Sequence, residues 1–273
     1  MSGGWGGRAW VLGVYAFLYV PILCLIVFSF TAGEITTRLD GLSLRWYAAL
    51  ARDVELHAAV LLSLRVGALA ATAAVVVGTA AAVILVRAGD YPGSRFFLGM
   101  MSAPMVMPEV VVGLSLVLLF THPALAILGG RGVAAIWVAH TTLCTAYVAV
   151  LVASRLREMD RALEEAALDL GCPPLKVFFV ITVPVIAPAL AAGWLLAFTL
   201  SMDDFVLAAM LSDPGSTTLP VLVFARLHHG LKPEINALAT VIVVVVSIAV
   251  LLANRLLLGP PRAAAQPSAA RGG

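Results

Sequence analysis

The sequence predicts an all-α, polytopic membrane protein, and three observations carry that expectation. Of its 273 residues, 62% are hydrophobic and only 12% are charged, far from the roughly half-apolar, quarter-charged balance of soluble domains. Mean hydropathy is +1.03. The apolar residues also gather into runs of the length, about 20 residues, that a helix needs to cross a hydrocarbon core about 30 Å thick.

Six runs meet that rule, at residues 9–30, 66–86, 96–120, 133–153, 178–200 and 235–258. The first follows Arg8 and ends in Phe28-Ser29-Phe30, without a small-residue cleavage site, so it is expected to stay as an uncleaved anchor. The chain then divides into a short cytoplasmic N-terminus (1–8), a transmembrane domain (9–258) and a tail (259–273). The tail is rich in Ala, Pro, Gly and Arg, a composition that predicts disorder.

Orientation follows from the basic residues near helix ends. With the N-terminus inside, the cytoplasmic side carries Arg8, Arg87, Arg95, Arg155, Arg157, Arg161, Lys176, Arg255, Arg262 and Arg271. The outer side carries Arg38, Arg45, Arg52, Arg65, Arg131, Arg226 and Lys232. Both termini are therefore expected in the cytoplasm, and the two densest basic segments, 87–95 and 155–176, fall inside. These cations are spread among loops rather than drawn into one stripe, which argues against nucleic acid as a partner. Cys24, Cys144 and Cys172 stand apart with no C-x-x-C pair, so they read as packing residues, not as a disulfide or metal framework.

Segment 154–184 is the most polar interruption. Asp160 can cap a short helix over 161–170, Gly171 can take the left-handed turn that ends it, and Pro173 and Pro174 block its continuation. Leu163, Ala167 and Leu170 recur on one face, and Ala166 and Ala167 keep the surface low. Such a helix either rests on the membrane surface or fits a groove in another protein.

Inside the apolar runs, ionisable residues are functional candidates by default. Glu109 lies about 20 Å along a straight third helix from Phe96, near mid-membrane, where it either lines a path or pairs with Ser102 or Ser115. Pro104 and Pro108 predict a break beside it. Asp203 and Asp204 precede a second short apolar run, 205–211, so the fifth helix is expected to be interrupted. The two acids suit a cationic amine, with Trp194, Phe198 and Phe205 offering aromatic faces; alternatively one caps the next helix. As neighbours on one helix they cannot face the same way. Glu234 after Pro233 reads as a favourable first-turn charge. His140, between Trp137 and Tyr147, reads as a hydrogen-bonded packing residue, and His228-His229 as part of an outer loop. In the loop at 31–57, residues 44–50 read as a short amphipathic helix with Trp46 and Tyr47 at the interface, or as a contact for an external protein.

Glu165-Ala166-Ala167-x3-Gly171-x9-Ile181-x-Val183-Pro184 resembles the EAA signature of integral-membrane subunits of ABC importers, departing only at Val183, where the pattern has Leu. The resemblance implies a type I importer core and makes 165–171 the coupling helix that docks on a cytoplasmic ATPase, with Glu165, Ala166, Ala167, Gly171, Ile181 and Pro184 as the coupling set. Residues 107–116, 198–206, 215–220 and 233–240 further resemble polyamine (putrescine and spermidine) permease subunits. That implies a substrate path using Glu109, Asp203, Asp204, Trp194 and Phe205. It also implies a second permease subunit, most simply as a heterodimer, two ATPase subunits, an external binding protein, and residence in the bacterial inner membrane.

No glycine-rich loop precedes either lysine, Lys176 or Lys232, so the chain has no Walker A site. It is expected to be a transport subunit rather than an enzyme, with no cofactor of its own and with ATP and Mg bound by the partner ATPases. An importer for another small solute (an amino acid, sulfate or iron) shares the EAA loop, although the paired acids argue against an anion. An ion-coupled secondary transporter would use the same intramembrane acids but would not need that loop. A membrane hydrolase would need motifs such as H-E-x-x-H or G-x-S-x-G, and neither is present.

Overall fold

The computed structural model describes residues 5–36, 38–89, 91–123, 130–228, 230 and 232–257. The predicted tail at 259–273 lies outside the described residues, as does His229. The described residues form twelve α-helices and one π turn, with a single isolated bridge, Thr31 to Leu42, and no strand. In order they are α1 (Trp5–Phe28), α2 (Arg45–Arg52), α3 (Val54–Arg87), α4 (Ser94–Val106), α5 (Glu109–Thr121) and α6 (Val133–Glu158). There follow α7 (Ala162–Asp169), α8 (Pro174–Val177), the π turn (Phe178–Thr182), α9 (Val183–Asp203), α10 (Val206–Leu211), α11 (Leu219–His228) and α12 (Pro233–Leu257).

Among the described residues, four helical stretches are long and apolar enough to cross a membrane singly: α1, α3, α6 and the continuous run from α8 through α9. The third predicted span is a bent pair, α4 and α5, with axes 108° apart. Its cause is local. Met107, before Pro108, is extended at φ −75° and ψ 139°, as a residue before proline prefers. Pro108 is extended as well and stands as the N-cap of α5. This bend overturns the depth argument for Glu109, because a straight rise from Phe96 does not apply across it. The sixth predicted span lies on α12.

The second predicted span is longer than expected. Helix α3 has 34 residues, about 51 Å at the α-helical rise, because an amphipathic stretch precedes the apolar one. Leu56, Ala59 and Ser63 of that stretch are buried, while Glu55 and Arg65 keep it below the threshold of an apolar window.

The chain divides into two compact units. In the unit Val54–Ala225, α3, α6 and α9 pack on one another. Their core holds Ala71, Ala74, Ala82 and Val86 of α3, Val148, Val152 and Leu156 of α6, and Ile186 and Ala197 of α9. Small residues set the spacing, as expected where helices associate in lipid by close packing rather than by the hydrophobic effect. A Cβ added at Gly78 would meet Val148 Cβ at 3.0 Å and the Ala149 backbone nitrogen at 3.1 Å. A second cluster joins Val66, Phe120, Ile136, Leu143, Leu207 and Leu211, and packs α10 against α5 and α6.

In the unit Met1–Asp53 with Arg226–Gly273, α12 packs on α1 and α2. The loop after α1 is tied around Thr31, whose hydroxyl donates to the Arg38 carbonyl at 2.7 Å. The Trp46 indole donates to the Thr31 carbonyl at 3.0 Å, and the Tyr47 and Ser29 hydroxyls lie 2.6 Å apart. The polar tips of the two expected interface aromatics are thus engaged within their own loop. Arg226 pairs with both Asp53 and Glu234, so the first-turn charge of α12 also holds an ion pair.

Candidate functional site

Helix α7 has eight residues, too short to persist alone in water, and its ends are closed by local chemistry. Asp160 Oδ1 accepts from the Ala162 amide at 3.0 Å. At the other end Gly171 takes φ +82°, its N–H donates to the Leu168 carbonyl at 2.8 Å, and the Cys172 N–H donates to that of Ala167 at 3.0 Å. That pair of bonds is a Schellman motif, and the sign of φ explains glycine there. Pro173, extended, follows.

No residue of α7 is buried. Glu165 and Ala166 are exposed and Ala167 is half-buried. The apolar face expected from Leu163 and Leu170 is also exposed, at 51% and 88%. Ile181 is half-buried in the π turn and Pro184 exposed in the first turn of α9. Pro184 has no N–H to return to the Val180 carbonyl and crowds it, and the ladder widens there into a π turn.

Sequence reasoning missed Glu164. Its Oε2 lies 2.9 Å from Nε of Arg87, the last residue of α3, with both side chains less than one-fifth exposed. Its Oε1 accepts from the Thr182 hydroxyl at 2.6 Å. Beside it, the Arg161 guanidinium donates to the Val86 carbonyl, one of the carbonyls that a helix C-terminus leaves unsatisfied. The two densest basic segments of the sequence, around Arg87 and Arg155 to Lys176, therefore meet within the unit Val54–Ala225. The available signal is the doubled acid Glu164-Glu165: successive helical positions face about 100° apart, so the two acids can meet different surroundings.

The second cluster lies at the break between α9 and α10. Asp204 is 7% exposed, and its Oδ1 accepts from the Leu207 amide at 2.9 Å. Its Oδ2 lies 3.8 Å from His140 Nε2, too far for a hydrogen bond, and both atoms are without a hydrogen-bond partner among the described residues. His140 Nδ1 is held 2.6 Å from Ser201 Oγ. Asp203 is exposed. Glu109, also exposed, opens α5, and α5 packs against α10, the helix that follows the break at Asp203 and Asp204. The structure so brings Glu109, Asp203 and Asp204 into one region. Gly113 permits the approach of α5 to α10, since a Cβ there would meet Met210 Sδ at 2.7 Å. Ser115 donates to the Val111 carbonyl and is not a partner for Glu109.

The aromatic candidates are engaged with protein. Trp194 stacks on Phe198 at 5.3 Å and 6°, and its indole donates to Thr72 at 3.1 Å. Phe205 packs on Phe224 at 4.4 Å. Among the described residues no group of three His, Cys, Asp or Glu could hold a metal ion.

Residues 92–258 match the model of the family described as binding-protein-dependent transport system inner membrane component. The chain belongs to this family. The putrescine transport system permease protein PotI of Escherichia coli K12 is 56% identical over 236 residues, 86% of this permease subunit and 84% of PotI. The spermidine/putrescine transport system permease protein PotC of the same strain is 36% identical, over 89% and 90% of the two chains. A solved bacterial alginate ABC transporter, in complex with an alginate pentasaccharide-bound periplasmic protein, shares the fold at TM-score 0.72 and 16% identity, covering 92% of this chain and 93% of that one. The all-α importer-permease fold expected from the sequence is the one observed.

Proposed function

We propose that this chain is the membrane-spanning permease subunit of an ABC importer whose cargo is putrescine or a closely related polyamine. The observation that carries the cargo is the 56% identity to a putrescine permease across 86% of the chain. The grouping of Glu109, Asp203 and Asp204 supports it, because a diammonium ion is held by carboxylates through charge-assisted hydrogen bonds. Exposed Glu109 and Asp203 are the acids that face the path, while Asp204 shapes the break from inside. Trp194 and Phe205 fix the helices around the path through their packing.

Helix α7 is the coupling helix. Its exposed Leu163, Leu170, Glu165 and Ala166 form the face that docks on a cytoplasmic ATPase, and the Gly171 turn, Ile181 and Pro184 join that face to α9. Two ATPase subunits bind the ATP and Mg, a second permease subunit completes the path, and a binding protein delivers cargo on the opposite side. Transport is alternating access about the acids. Both termini and α7 lie on the cytoplasmic side, as the basic-residue balance predicts. Uptake of radiolabelled putrescine into vesicles holding this chain and its partner subunits tests the proposal: it must require ATP and the binding protein, and exceed uptake of a neutral amino acid.

A further inference from the structure

We infer that Glu164 is the residue through which movement of α7 reaches the membrane helices, with one carboxylate oxygen tied to α3 and the other to the π turn that leads into α9. This rests on the proposal that α7 is the coupling helix, and goes beyond it by naming the internal joint.

The need for a joint follows from how little else holds α7. None of its residues is buried, and a cleft of about 180 Å³, lined in part by Val83, Leu168, Val177, Phe178 and Thr182, opens beside Glu164. Apolar packing therefore supplies little grip. The polar contacts supply it: Arg161 to the Val86 carbonyl, Glu164 Oε2 to Arg87 at 2.9 Å, and Glu164 Oε1 to Thr182 at 2.6 Å. Val86 and Arg87 end α3, and Thr182 ends the π turn that leads into α9. Those two helices form, with α6, the core of their unit.

The geometry also has slack suited to a moving part. Nε and Nη2 of Arg87 are buried and without a hydrogen-bond partner among the described residues, so the contact with Glu164 is Coulombic rather than a directed hydrogen bond. A small displacement of α7 can re-aim the carboxylate without breaking the pair. The π turn provides compliance on the other arm, being a local widening of the ladder. Glu165, one position on, is exposed and left for the ATPase. The adjacent acids thus divide the work, Glu165 receiving the stroke and Glu164 passing it on.

The test uses the assembled importer in proteoliposomes and reads two quantities, ATP hydrolysed and polyamine taken up. Glu164→Ala should still co-purify with the ATPase and hydrolyse ATP, while uptake per ATP falls about tenfold, the scale of one lost coupling contact. Thr182→Val, nearly isosteric, should lower the same ratio by about two- to threefold, and guards against a folding defect in the first variant. Glu164→Arg alone places two arginines together; adding Arg87→Glu should recover much of the ratio. Unchanged uptake per ATP in Glu164→Ala and Thr182→Val, or a double variant no better than Glu164→Arg, would overturn the inference. Failure of the parent proposal looks different: Glu165→Arg with Gly171→Pro would then leave ATPase co-purification intact.

Discussion

Asp203 and Asp204, neighbours at the end of α9, point apart: Asp204 is 7% exposed and accepts a hydrogen bond from the Leu207 amide, whereas Asp203 is exposed. Adjacent acids so placed have separable roles. Asp203→Asn removes a charge without removing a fold contact, and we predict a KM for a dicationic substrate raised roughly five- to tenfold at normal protein level. Asp204→Ala removes a cap and should cost about 1–2 kcal/mol of stability, whereas Asp204→Asn keeps an acceptor for the Leu207 amide. Thermal melting in detergent beside uptake kinetics separates the two; a normal KM in Asp203→Asn would remove that residue from the path.

The docking role of α7 predicts that Glu165→Arg with Gly171→Pro breaks the ATPase contact while membrane insertion persists. Gly171 stands at φ +82°, which proline cannot adopt, and Glu165 is exposed, so neither change reaches the membrane core. Co-purification from membranes reads the outcome; retention of the ATPase with normal transport would reassign α7.

Ser201→Ala leaves His140 Nδ1, buried in α6, without its partner at 2.6 Å. We expect a loss of about 1–3 kcal/mol, the cost of stranding a buried polar group. A melting temperature equal to that of the parent would mean that another group reaches His140.

Gly78→Val tests the helix core. Its Cβ would meet the Ala149 backbone nitrogen at 3.1 Å, and a backbone atom cannot rotate away. Separation of α3 from α6 should cost about 1–3 kcal/mol or more, read as reduced yield of folded protein; Gly99→Ala, where nothing lies within 4 Å, is the control.

What could be read from sequence was set by local chemistry. Asp160, Gly171 and Pro173 mark the limits of α7, and Pro108 marks the α4–α5 break, because caps, left-handed turns and prolines act on their immediate neighbours. The remainder depended on distant residues. Glu164 turns inward because Arg87 awaits it, 77 positions earlier in the chain. A straight-helix measure of depth does not apply to Glu109 because the 108° bend lies between it and the start of its span. The first turns of α3 were missed because Leu56, Ala59 and Ser63 bury one face of a stretch that also carries Glu55 and Arg65, and an apolar window averages both faces. The contacts of Trp194 with Thr72 and Phe198, 122 and 4 positions away, come from packing that no local pattern announces.

The most direct measurement is uptake of radiolabelled putrescine into proteoliposomes containing this chain, its partner permease, the ATPases and the binding protein. Saturable uptake that requires both ATP and the binding protein, and is not competed by a neutral amino acid, is the predicted result. Uptake of the amino acid in place of putrescine would contradict the cargo, and putrescine uptake driven by a proton gradient without ATP would contradict the importer mechanism itself.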